Sequence, residues 1–242
     1  MSRAGRNQQR NFTRPTLGLQ SLLAAWFMVS ALGAAWSQPV FSGGSVAADN
    51  LSVTVNFSEP VYTDTGMSGA LTAADFSLTF AQNGGNATGA SIASVTHAAG
   101  DASAVVVIAV TGTASGAETV ELTPFDGASI YNATDQAMLA TETTGPLGLY
   151  DLLAPAGYAV TISDGDGYLN DAEDGAVSFA FTGAEVGAGY SYSYASAGGG
   201  GPVNGSGTIA TATDTIGPVD LSALNDGLVT LSVTLTDLAG NI

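Results

Sequence analysis

Apolar residues recur at every second position along this chain, in short runs broken by turn residues. Leu51, Val53, Val55 and Phe57 alternate with Ser52, Thr54 and Asn56. Phe76, Leu78 and Phe80 repeat the pattern, as do Val177, Phe179 and Phe181, and Leu231, Val233 and Leu235. Successive side chains of a strand point to opposite sides, so a period of two marks a strand with one buried face. The runs are closely spaced, with Gly, Asn and Asp between them. Such a chain folds as an all-β sandwich or barrel. Thr72-Ala73-Ala74-Asp75 is the one segment that reads as a short helical turn.

Strands are expected near 51–57, 76–81, 90–97, 104–111, 118–122 and 128–131 in a first unit. In a second they are expected near 158–163, 176–182, 189–195, 206–212 and 228–236. The run 104–110 is apolar on both faces, which places it at the centre of a sheet. Asp151-Leu152-Leu153-Ala154-Pro155 joins the units. Pro155 lacks an amide donor and holds Ala154 extended, which suits a short stiff linker. Gly198 to Gly201 reads as a flexible loop tip. Cysteine is absent, so the core, a metal or neighbouring domains must hold the chain. The expected division is 1–37, 38–150 and 151–242, the last two being folded units of roughly 100 residues.

All four basic residues, Arg3, Arg6, Arg10 and Arg14, precede an apolar stretch over 17–35. Ala35-Trp36-Ser37 then offers small residues around a cleavage point before Gln38. This is the plan of a signal peptide over 1–37, and it implies a secreted or cell-surface protein with no membrane span once cleaved. The chain beyond residue 37 holds all 21 acidic residues and no Lys or Arg, a formal charge of −21. Nucleic acid and phosphate ligands are disfavoured, because their recognition draws on Lys and Arg. A nucleophilic triad would have only His97 as base, and that part of the chain has no Cys or Lys. His97 runs into a Gly-Asp turn and reads as a solvated hairpin residue. Nothing in the pattern marks a catalytic residue. A glycosidase-type pair among so many acids would need an aromatic cleft, and no such sequence accompanies one.

The sharpest local signal is 164–174, with Asp164, Asp166, Asp171, Glu173 and Asp174 inside eleven residues. Crowded carboxylates repel unless a cation sits among them, and oxygen ligands at this density suit calcium. Asp164, Asp166, Asn170, Glu173 and Asp174 are the candidate ligands. An EF-hand is excluded, since its first ligand position would fall on Ile162 and no helices flank the loop. A solvated acidic turn is the alternative. Tyr190, Tyr192 and Tyr194 share one strand face. They either fill the inner face of a sandwich or form a ladder that stacks on sugars.

Asn56-Phe57-Ser58-Glu59-Pro60-Val61, followed by Leu71-Thr72-Ala73-Ala74-Asp75-Phe76, resembles the bacterial Ig-like domains of large cell-surface proteins. The second unit is similar to a repeat of tandem arrays in bacterial adhesins. The matching pieces are 151–155, 166–173, 219–227 and Thr236-Asp237-Leu238-Ala239-Gly240-Asn241. The resemblance implies two tandem Ig-like Greek-key sandwiches. In such arrays one more strand comes after the Asp-x-Ala-Gly-Asn turn, so the second sandwich is expected to lack its last strand. The resemblance also implies calcium at domain junctions, here Asp151 with Asn132 and Asp135, while Asp237 and Asn241 would face a third domain. The expected function is that of a non-enzymatic structural or adhesive module. Its partners would be neighbouring Ig-like domains and a cell-surface glycan or protein. The alternative is a carbohydrate-binding accessory module of a secreted hydrolase.

Overall fold

The computed structural model describes residues 37–163 and 174–242. The signal-peptide reading over 1–37, apart from Ser37, and most of the acidic stretch fall outside them. The described chain is all-β, its helical content being two 3-10 turns, Ala73–Asp75 and Asp174–Ala176. No described helix is long and apolar enough to cross a membrane.

The first set of strands is β1 (Phe41–Val46), β2 (Ser52–Phe57), β3 (Val61–Tyr62), β4 (Phe76–Ala81), β5 (Gly89–Thr96), β6 (Ser103–Thr111), β7 (Thr119–Pro124), β8 (Tyr131–Asn132) and β9 (Leu147–Gly148). They form one sheet in the order β1-β2-β6-β5, a second in the order β4-β7-β9, and a small ribbon of β3 and β8. Without the ribbon, these are the two sheets of a seven-stranded constant-type immunoglobulin sandwich. The inward residues interleave in one core that includes Val53, Val55, Val106, Ile108, Val120 and Leu122. β6 lies between β2 and β5 as expected, with Ala104, Val106 and Ile108 buried on the inward face and Val105 and Ala109 exposed on the other.

The second set is β10 (Ala159–Ser163), β11 (Val177–Thr182), β12 (Gly189–Ser196), β13 (Val203–Thr208), β14 (Thr215–Val219) and β15 (Val229–Thr236). Two three-stranded sheets, β10-β11-β14 and β13-β12-β15, face each other. Their core is separate from the first and is built on Phe179, Phe181, Tyr194, Leu221 and Leu235. Among the described residues, no strand lies beside β15 in the place that β9 takes beside β7.

Several elements depart from the alternation. β1 is two-thirds glycine and serine, so its sequence carries no pattern, yet it pairs along β2 as an edge. β14 contains Gly217 and Pro218, and it too is an edge, where proline costs no ladder bond. The strand expected at 128–131 is reduced to Tyr131–Asn132. The strand expected at 206–212 instead spans Val203–Thr208. Its glycines are shielded by tyrosine rings, since a Cβ on Gly205 or Gly207 would run into Tyr192 or Tyr190. The expected loop tip at Gly198–Gly201 is closely packed over its first three glycines, while Gly201 is open. Gly200 pairs with Leu224 in an isolated bridge, and a Cβ there would lie 2.5 Å from the Ala223 carbonyl oxygen. Thr72 caps the first 3-10 turn, with Asp75 completing a capping box.

Candidate functional site

The segment between the two sandwiches is held from both sides. From the first, Asp151 pairs with Ser115 in an isolated bridge, and the Leu152 amide donates to the Ala114 carbonyl at 2.9 Å. Gly116 allows this approach. Its φ is +80°, and a Cβ there would sit 3.2 Å from Asp151 Cβ. The Asp151 carboxylate accepts from the Leu153 amide at 2.9 Å, closing a local turn.

From the second sandwich, the turn after β15 reaches the same segment. Asp237 accepts from the Asn241 amide at 2.8 Å and from Asn241 Nδ2 at 2.7 Å. Asn241 Nδ2 also donates to the Asp151 carbonyl at 3.3 Å. Asp237 is buried. Burial favours its neutral form, but the bonds from Asn241 and the amides of Gly240 and Ala239 outweigh it and hold the carboxyl below its ordinary 3.8.

The first sandwich carries the same device after β7. Asn132 N donates to the Gln136 carbonyl at 3.0 Å, as Asp237 N does to that of Asn241. Asn132 Oδ1 accepts from the amides of Thr134 and Gln136. Asn132 Nδ2 donates to the Ser37 carbonyl at 2.8 Å and to Glu59. Asp135 has φ of 60° and Gly240 of 97°, the same left-handed place in each turn. Each turn of the uncleaved chain therefore ties itself to a main-chain carbonyl ahead of its sandwich's first strand, the first of these at Ser37, just before the expected cleavage point. One uses a single Asn as both acceptor and donor, while the other divides the work between Asp237 and Asn241.

This overturns the expected junction site. Strand directions put Asn132 and Asp135 at the end of the first sandwich near Ser37, and Asp151 at the opposite end beside Ser115. Asp135 accepts from the Gly66 amide at 2.6 Å instead. Asp237 and Asn241 face Asp151, not outward to a third domain. The second candidate site fares differently. Asp164, Asp166, Asn170, Asp171 and Glu173 lie outside the described residues. Asp174 opens a 3-10 turn, and its carbonyl accepts from the Leu221 amide at 2.7 Å. Among the described residues, no three His, Asp or Glu side chains come together to hold a metal ion.

The tyrosines face inward. Phe179 lies 6.4, 5.2 and 6.2 Å from the rings of Tyr190, Tyr192 and Tyr194, edge-on in each case. Tyr194 is fully buried and the other two half-buried. The ladder is core, which removes the motive for sugar stacking. Burial beside Tyr192 and Asp214 pushes the Tyr190 hydroxyl upward. His97 is half-buried rather than solvated. Its Nδ1 accepts from the Leu71 amide at 3.0 Å, and its Nε2 lies 3.1 Å from the Asp101 carbonyl.

Two residues at the junction end were not singled out by sequence. Asn50 grips the Tyr150 backbone, with Nδ2 to the carbonyl at 2.8 Å and Oδ1 from the amide at 2.9 Å. Glu118 is fully buried and accepts from the amides of Ala87 at 2.6 Å and Ser115 at 2.9 Å. Burial raises its carboxyl, but the amides of Ala87, Glu118 itself and Ser115, with the Ser115 hydroxyl, hold it below the ordinary 4.5.

No family profile matches the chain, and no curated protein does. Among solved structures the chain is similar to a segment of two fibronectin type III domains from chicken tenascin. The likeness covers 83% of this chain and 99% of that one at 10% identity, with a TM-score of 0.25. Overlap at that level bears on neither partner nor activity.

Proposed function

We propose that this chain is a structural or adhesive spacer of an exported protein, in which two Ig-like sandwiches, spanning 38–150 and 151–242, hold a set spacing and orientation. The observation that carries this reading is the double tether of Asp151, to Ser115 on one side and Asn241 on the other. A linker held from both sides suits a part whose work is geometry rather than turnover. The composition fits an extracellular setting, with its basic N-terminus, apolar stretch and acid-only remainder. Calcium belongs to the proposal through 164–174, where acids crowd without a cationic side chain to pair with. A cation bound only by the folded state stabilises it by about 2.7 kcal/mol at a hundredfold excess over the dissociation constant.

Solution scattering combined with melting tests both parts. Asn241→Ala is expected to broaden the distribution of overall sizes while each sandwich keeps its strand content. An unchanged distribution would defeat the spacer reading. Calcium is expected to raise the melting temperature beyond sodium chloride at matched ionic strength, since screening acts with either salt. Asp166→Asn with Glu173→Gln should remove that excess. Equal shifts with both salts would remove calcium from the proposal.

A further inference from the structure

β7 and β15 occupy the same place in their sandwiches, each leading into the turn that ties back to a preceding carbonyl. Their surroundings differ. β7 lies between β4 and β9, and its inward Val120 and Leu122 are 0% exposed. β15 pairs with β12 alone among the described residues, and its inward Val229, Leu231 and Val233 are only half-buried. Leu228, just ahead of it, is 64% exposed.

Native edges are normally blunted by charge, proline, a bulge or brevity. β15 has none of these. Val229-Thr230-Leu231-Ser232-Val233-Thr234-Leu235-Thr236 contains no charge and no proline. Its register with β12 runs unbroken through eight pairs.

We propose that the outer edge of β15 is a self-association surface, pairing antiparallel with β15 of a second copy of this chain. The sequence is complementary to itself about a two-fold axis through Ser232. Thr230 then faces Thr234 of the other copy, and Leu231 faces Val233, so apolar residues meet on the inward side and hydroxyls on the outward side. Hydroxyl pairs and β-branched pairs are favourable across an antiparallel ladder. The two three-stranded sheets become one of six strands, and the half-buried residues of β15 gain the cover that β9 and its flanks give β7. The rest of each copy is strongly acidic, and Asp226 and Asp237 flank the strand. Contact is therefore uncharged, while the approach is repulsive and sensitive to salt.

Sedimentation of the 242-residue chain over a range of concentrations and sodium chloride levels tests this, with amide exchange followed along β15. The expected result is a monomer–dimer equilibrium that shifts to dimer as salt rises, with β15 amides gaining protection as the dimer forms. Thr230→Lys with Thr234→Lys puts like charges opposite each other on the exposed face, and should weaken the dimer about tenfold or more without altering monomer strand content. The double variant leaves the inward residues intact, so it separates loss of pairing from loss of fold. The proposal is overturned by a monomer at every concentration and salt level. It is overturned equally by association that survives the lysines, or by concentration-independent protection of those β15 amides that point away from β12.

Discussion

Glu118 shows what one buried charge does in a chain without cationic side chains around it. Its carboxylate is satisfied entirely by N–H and O–H donors around the Ala87 and Ser115 turns. Gly85 makes room for it, because a Cβ there would collide with the carboxylate. A hydrogen bond to a charged group contributes about 1.5–3 kcal/mol, and an amide in its place turns donors toward donors. Glu118→Gln is expected to cost about that amount, read by denaturant unfolding at neutral pH. A change within error would mean the loop finds other acceptors. Part of this was legible. Glu118 has the parity of Val120 and Leu122, so the alternation already put it on the inward face. Which amides would meet it was not legible, because Ala87 lies 31 residues away. The pairing of Asp237 with Asn241 was visible as a turn motif, but its direction toward Asp151 depends on the path of the whole second sandwich.

At the scale of elements, β13 is the least autonomous strand. Gly205 and Gly207 have little propensity for a sheet, and the strand is an edge. The rings of Tyr192 and Tyr190 lie over these glycines and replace the missing side chains. Gly205→Ala is therefore expected to displace Tyr192 and destabilise the second sandwich by about 1–3 kcal/mol, the usual range for overpacking. Gly201→Ala, where nothing lies within 4 Å of the added carbon, is the matched control. Equal unfolding midpoints for the two variants would show that Tyr192 moves aside freely. Strongly alternating strands such as β2, β7, β11 and β15 were legible because each must bury one face. β1, β13 and β14 were not, since their place is set by the partner strand rather than by their own side chains.

For the whole molecule, charge sets how stability responds to pH. With 21 acids and no Lys or Arg after Arg14, protonating surface carboxylates relieves self-repulsion. Glu118 and Asp237 act in the opposite sense. Both carboxyls are held below their ordinary 4.5 and 3.8, so their contribution is complete above those values and is lost as pH falls through the lower folded ones. Melting temperature is expected to hold or rise from pH 7 to about 5, then fall below about 4.5. A steady decline from neutral pH would mean that the ionised carboxylates stabilise the fold on balance. By itself the sequence determined the all-β class, two separate apolar cores, the inward parity of the main strands and the acidic surface, because alternation and composition act locally and add along the chain. Tertiary structure alone decided the ends at which Asn132 and Asp151 lie, the turn that grips the linker, and which of the two expected faces the tyrosines take. Those depend on strand order and direction, which are settled by contacts between residues tens of positions apart and leave no mark in any local run.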